Sequence, residues 1–128
     1  MKPNKQEIES VLKLSARERY WYCIKKVADS GCIWGLYQDG WALAGSENGK
    51  VFLPLWPMPE FAVLCAEGQW IDYKARSLDI YEFLDSYISE LEDNDILPAI
   101  FYTVEDYGVP VSYDELRRDL NQELGRLS

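Results

Sequence analysis

Histidine is absent from all 128 residues. Its absence removes the Ser-His-Asp and Cys-His arrangements of nucleophilic catalysis, and every zinc site that uses imidazole. Bases are scarce as well: 13 Lys and Arg stand against 22 Asp and Glu, for a formal net charge of −9. Nucleic-acid backbones are bound by clustered Lys and Arg that release counterions, so this balance speaks against a nucleic-acid partner and equally against anionic membrane surfaces. What the charge does supply is solubility by self-repulsion, or an acidic face that suits a basic partner.

Long apolar runs are also lacking. Nothing approaches the ~20 residues of a membrane-spanning helix. No stretch combines a charged start, an apolar run and a small-residue cleavage site, so no signal peptide is expected. Three cysteines, Cys23, Cys32 and Cys65, are odd in number and sit in apolar stretches without a spaced framework. They are expected as buried, reduced thiols, and the protein as a cytoplasmic one. No glycine-rich phosphate loop follows a strand, and no Cys pair stands at metal-ligand spacing. No cofactor and no metal are expected.

What is present is apolar mass: 48% hydrophobic residues against 27% charged. A chain of this length buries roughly two-thirds of its unfolded surface as one domain, here taken as residues 1–128. Ile8, Val11 and Leu12 keep helical spacing. A second helix starts at Ser15, where Ser15 and Glu18 form a capping box; its stripe is Ala16, Tyr20, Ile24 and Val27, and Gly31 ends it. Pro59 suits the first turn of a short helix reaching Glu67, and a brief extended piece follows around Trp70–Tyr73. Ile80, Leu84, Tyr87, Ile88 and Leu91 mark a longer amphipathic helix capped by Ser77. A strand over Ile96–Val104 follows, with Pro98 near its start or on an edge. Ser112 and Glu115 then cap a last helix that shows Leu116, Leu120 and Leu124.

In the centre, Cys32–Gln38, Trp41–Glu47 and Lys50–Trp56 read as three strands joined at Asp39-Gly40 and Asn48-Gly49. Both dipeptides suit two-residue type I′ turns. That register places Gln38 opposite Trp41, Gly45 opposite Phe52, Glu47 opposite Lys50 and Trp41 opposite Trp56. One face then carries Trp34, Leu36, Trp41, Leu43, Phe52 and Trp56; the other carries Ile33, Tyr37, Ala42, Ala44, Val51, Leu53 and Leu55. Neither face is polar, so the sheet is covered on both sides or exposes aromatic surface.

Few residues point to chemistry. Cys23 has Lys25 and Lys26 near in sequence, which would favour a thiolate, but it lies on a core stripe. Glu90, Glu92, Asp93 and Asp95 are dense, yet lack the glycine and terminal Glu spacing of a calcium loop. No residue is singled out as catalytic. The five Trp, nine Tyr and four Phe remain. Aromatics dominate cores and recognition surfaces alike, so Trp34, Trp41, Phe52 and Trp56 are either a covered core or a binding groove for a partner or a second copy of the chain.

Several runs carry a family likeness: Arg19-Tyr20, Ile24-Lys25-Lys26-Val27-Ala28-Asp29, Ile33-Trp34-Gly35-Leu36, Asp39-Gly40-Trp41-Ala42-Leu43, Pro54-Leu55-Trp56-Pro57 and Phe61-Ala62. Together they resemble the small bacterial family DUF2750, a domain of unknown function, over roughly residues 15–120. Asp-Gly-Trp and Pro-Leu-Trp-Pro are the most specific elements. The resemblance implies a stand-alone bacterial cytoplasmic domain and carries no activity, ligand or site residue.

The expectation is therefore an α+β fold: an antiparallel β-meander of three to five strands packed against four or five helices in one compact domain. Its expected role is that of a non-catalytic protein-interaction module, with self-association as one form. Two rivals stay open: an immunity or inhibitor protein that binds a basic target, and an enzyme that works with carboxylates and tyrosine.

Overall fold

Two helices open the fold because their ends are satisfied locally. The computed structural model describes residues 3–106 and 108–126. Helix α1 (Lys5–Leu12) and helix α2 (Ala16–Ser30) meet at a turn where the Ser15 capping box forms. Ser15 Oγ accepts from the Glu18 amide at 3.2 Å, and Glu18 Oε1 accepts from the Ser15 amide at 3.0 Å. Each such cap stabilises a helix by about 1 kcal/mol. Tyr20, Cys23, Ile24 and Val27 are all buried, so the stripe read from the spacing is the face that packs. Gly31 closes α2 in the left-handed conformation, its N–H reaching Val27 O at 2.8 Å.

The strands are β1 (Cys32–Tyr37), β2 (Ala44–Gly45), β3 (Val51–Leu55), β4 (Lys74–Asp79), β5 (Ile96–Ile100) and β6 (Val109–Pro110). Antiparallel β1 and β4 form one sheet, and the other has the order β2-β3-β5-β6. Within it β3 and β5 run parallel, and the other pairs are antiparallel. A two-way bridge between Trp34 and Trp56, at 2.9 and 2.8 Å, ties β1 to the end of β3. The fold is thus α+β. Its connectivity departs from a simple meander because a parallel pair needs a crossover between its strands.

The central register is one residue away from the expected one. Tyr37, not Gln38, stands opposite Trp41, and Ala44, not Gly45, stands opposite Phe52. Both connections are three-residue loops. In the second, Ser46 faces Lys50: Ser46 N–H donates to Lys50 O at 2.9 Å, and Lys50 N–H donates to Ser46 Oγ at 3.2 Å. Gly49 takes φ +83°, the left-handed residue that ends such a loop. Asn48 Oδ1 accepts from both Ser46 Oγ and the Lys50 amide, which stabilises the longer loop. In the first loop Asp39 itself adopts φ 55°. A slip of one residue exchanges the faces of a strand. The Glu47–Lys50 and Trp41–Trp56 pairings are therefore replaced by Ser46–Lys50 and Trp34–Trp56.

Other boundaries move for local reasons. Ser77, expected as a helix cap, lies inside β4 opposite Trp34. Asp79 caps instead, its Oδ2 accepting from the amides of Tyr81 and Glu82 at 3.1 and 3.0 Å. The expected extended piece at 70–73 gives way to a 3₁₀ turn at Gly68–Trp70, and the strand follows it. Helix α3 (Pro59–Leu64) stops short of Glu67. Strand β5 ends at Ile100 because Phe101 takes φ 62°. The third long helix, α4, covers 80–93 and includes a wide π segment at Phe83–Tyr87. Helix α5 (Tyr113–Glu123) keeps the expected Ser112 cap.

Packing follows from these elements. Helix α3 lies across β1 and β4, α4 covers β5, and α5 packs on α2. Ile33, Leu36, Leu55, Trp56, Phe61, Ile80, Phe83, Ile100 and Leu116 are essentially solvent-free. Burying each such side chain contributes roughly 1.5–3 kcal/mol.

Candidate binding cleft

The bridge between Trp34 and Trp56 decides what stands next to Trp34. Directly after Trp56 come Pro57, then Met58 as the extended N-cap of α3, then Pro59 at its first turn. On the other side, α2 has just ended at Ser30. Between these two chain segments opens a cleft of about 550 Å³. Trp34, Pro57, Met58 and Pro59 form its apolar part, and Lys26, Asp29, Ser30 and Glu60 line the remainder. Trp34 is half-buried, and its indole Nε1–H donates to none of the described residues. Lys26 turns towards other partners: its Nζ lies 4.0 Å from Glu7 Oε2 and 5.6 Å from the centre of the Tyr22 ring.

The four aromatics expected to share one face are divided among different surroundings. Trp56 is in the core, fully buried, with Nε1–H donating to Tyr102 O at 2.7 Å. Phe52 lines a separate cavity of about 380 Å³ with Tyr102 and Pro110. Trp41 contributes to a third, of about 270 Å³, beside the exposed Leu43. Its ring meets Tyr37 edge-on at 5.0 Å, and the Arg76 guanidinium lies over both rings, 4.2 Å from Tyr37 and 5.8 Å from Trp41. The register slip causes the division: it moves Trp41 onto the side of Tyr37 and leaves Trp56 to Trp34.

Burial governs two cysteines and two tyrosines. Burial pushes the Cys23 thiol well above its ordinary pKa. Burial, then the nearby Glu67, raises Cys65 to about 11. Cys32 is half-buried rather than buried, and all three cysteines are free. Tyr20 donates to Asp119 Oδ2 at 2.6 Å, and burial followed by that bond raises its pKa. Tyr22 is shifted in the same direction by burial and then by Glu7, to which it donates at 2.7 Å.

Sequence reasoning missed Arg19 and Asp119. Arg19 is buried; Nη1 donates to the carbonyls of Leu12 and Leu14, and Nη2 pairs with Asp106 at 3.0 Å. It joins the α1–α2 turn to the segment after β5. A polar residue next to Tyr20 on a packed helix, and an aspartate between Leu116 and Leu120, are the signals that point to such buried pairs.

Among the described residues, no three His, Cys, Asp or Glu side chains converge where they could hold a metal ion. No helix among the described residues is long and apolar enough to cross a membrane. The arrangement is that of an α+β domain in which Tyr20 and Tyr22 are bonded to carboxylates inside the fold and whose surface offers open, partly aromatic clefts. The chain belongs to the DUF2750 family, described as a protein of unknown function, whose model matches residues 20–120. No curated protein and no solved structure matches it.

Proposed function

We propose that this is a non-catalytic protein-interaction module, and that its Trp34 cleft receives a segment of a partner chain. The observation that carries the reading is a half-buried indole set beside Pro57-Met58-Pro59 in a cleft of about 550 Å³. Aromatic rings beside prolines form flat, rigid, low-entropy platforms, and an indole N–H adds one directional hydrogen bond to a passing backbone carbonyl. Methionine at the centre adapts to irregular apolar side chains. The nucleophile candidates give little support to a catalytic alternative, because the Cys23 and Cys65 thiols are buried and held protonated.

The deciding experiment is affinity capture on immobilised wild-type protein, Trp34→Ala and Leu43→Ala. A specific partner should be retained by wild type and Leu43→Ala, and be depleted at least about ten-fold on Trp34→Ala, the loss of one interface anchor. Equal retention by folded Trp34→Ala would refute the assignment of the cleft. Retention that instead disappears with Leu43→Ala would move the site to the Trp41 surface.

A second reading has its own observation. Glu82, Asp85, Glu90, Glu92, Asp93 and Asp95 are all exposed along α4 and the turn after it. This acidic side suits an inhibitor-type contact with a basic target, whose association would slow steeply with salt.

A further inference from the structure

The charge around the Trp34 cleft narrows what it takes, a step that rests on reading that cleft as a partner-binding surface. Asp29 and Glu60 line it from opposite elements, α2 and α3, and neither has an ion pair or side-chain hydrogen bond among the described residues. The only base among the lining residues, Lys26, is turned towards Glu7 and Tyr22. The cleft also lies at the C-terminal end of the 15-residue helix α2, whose last turn contains no basic residue. Unsatisfied carbonyls there give a partial negative charge, which Asp29 reinforces.

Acids at a helix C-terminus oppose the dipole, so Asp29 does not stabilise α2. Glu60, in the first turn of α3, does have a favourable position on its own helix. The summed result is one indole side chain, two unpaired carboxylates and a negative helix end around one opening, on a chain of net charge −9. An indole face attracts cations through its quadrupole, and a guanidinium stacks on it while still pairing with carboxylates.

We infer that the Trp34 cleft recognises a cationic segment of a partner protein, with an arginine or lysine laid over the Trp34 ring between Asp29 and Glu60. Flanking apolar or proline residues of that segment rest on Pro57, Met58 and Pro59. The net charge of the domain steers such a segment inward, so association is fast at low ionic strength and slows with salt.

Random peptides can stand in for the partner in the test. An octapeptide library displayed on phage is selected on the wild-type protein and counter-selected on Trp34→Ala. Peptides that depend on Trp34 should be enriched in arginine or lysine about three-fold or more over the library, and their synthetic forms should bind the Asp29→Asn/Glu60→Gln variant about ten-fold more weakly. Replacing the central arginine by citrulline, which keeps the shape and loses the charge, should cause a similar loss. Unchanged thermal unfolding of the variant establishes that the loss is not misfolding. Trp34-dependent peptides without basic enrichment, or with equal affinity for the double variant, overturn this inference and leave the binding-module reading intact. A selection that yields no Trp34-dependent peptide overturns both.

Discussion

Gly35 makes the packing around Trp41 testable to within a fraction of a kcal/mol. An ideal Cβ on Gly35 would lie 2.9 Å from Cε3 and 3.0 Å from Cζ3 of the Trp41 ring. Carbon atoms in contact prefer about 3.5–4.0 Å, so Gly35→Ala obliges the ring to retreat by roughly 0.5–1 Å. That retreat is resisted by the edge contact with Tyr37 and by the Arg76 guanidinium above both rings. Overpacking of this kind costs about 1–3 kcal/mol. Against it stands the smaller backbone entropy of alanine, which favours a strand by roughly 0.5–1 kcal/mol. The net expectation is a loss of about 0.5–2 kcal/mol. In a Trp41→Ala background nothing blocks the new methyl, and the same substitution should become neutral or stabilise by about 0.5 kcal/mol. Urea unfolding of the four proteins, with comparable slopes, measures the cycle. Additivity between the two sites to within about 0.5 kcal/mol would refute the contact, and with it the three-residue loop that puts Trp41 over Gly35.

Three further outcomes follow from burial. Fully buried Trp56→Ala should lose about 3–5 kcal/mol, whereas half-buried Trp34→Ala should lose about 1–2 kcal/mol; equal losses in chemical denaturation would contradict the different placements. Tyr20 has a raised pKa in the fold, so its contribution is complete below the ordinary tyrosine pKa near ~10 and fades as the pH rises through the higher folded value. Tyr20→Phe should therefore be less stable than wild type at pH 8, with a gap that narrows above pH ~10; a constant gap in pH-dependent melts would exclude the coupling. Among the cysteines, Cys32 should be alkylated first in the native protein at pH 8, as mass mapping after iodoacetamide would show, while Cys23 and Cys65 wait for unfolding.

Local chemistry was legible in the sequence. Ser15 with Glu18, Ser112 with Glu115, Gly31 and Pro59 each act within one helical turn, and each occupies the expected place. The order of non-local pairs was not legible. Lys74–Asp79 carries Lys, Arg, Ser and Asp on an edge, so it shows no core alternation that would announce a strand. Asp-Gly and Asn-Gly were compatible with loops of two or three residues; Asn48 as an acceptor and Asp39 in the left-handed region favour three. For the candidate site, aromatic content pointed to Trp34, but its neighbours Asp29 and Glu60 meet only through tertiary packing. No spacing rule brings the end of α2 to the start of α3.

The parallel pairing of β3 with β5 has a consequence for how this chain reaches its fold. Strand β3 is bridged by Trp34, joined by β2 and held along its other edge by β5. That last neighbour arrives only after α3, β4 and α4 have been traversed. A nascent chain can form α1, α2 and the β2–β3 hairpin early, yet it holds the Val51–Leu55 edge open until β5 emerges. The same edge contains Phe52, Leu53 and Leu55, side chains apt to pair with a stranger while unprotected. Pro54 does not close that edge. Ser46 N–H donates to Lys50 O and Trp56 N–H to Trp34 O on one side of the strand, while Phe101 N–H donates to Leu55 O on the β5 side. Pro54 therefore turns its backbone nitrogen away from β5 and takes no hydrogen bond from the parallel pair.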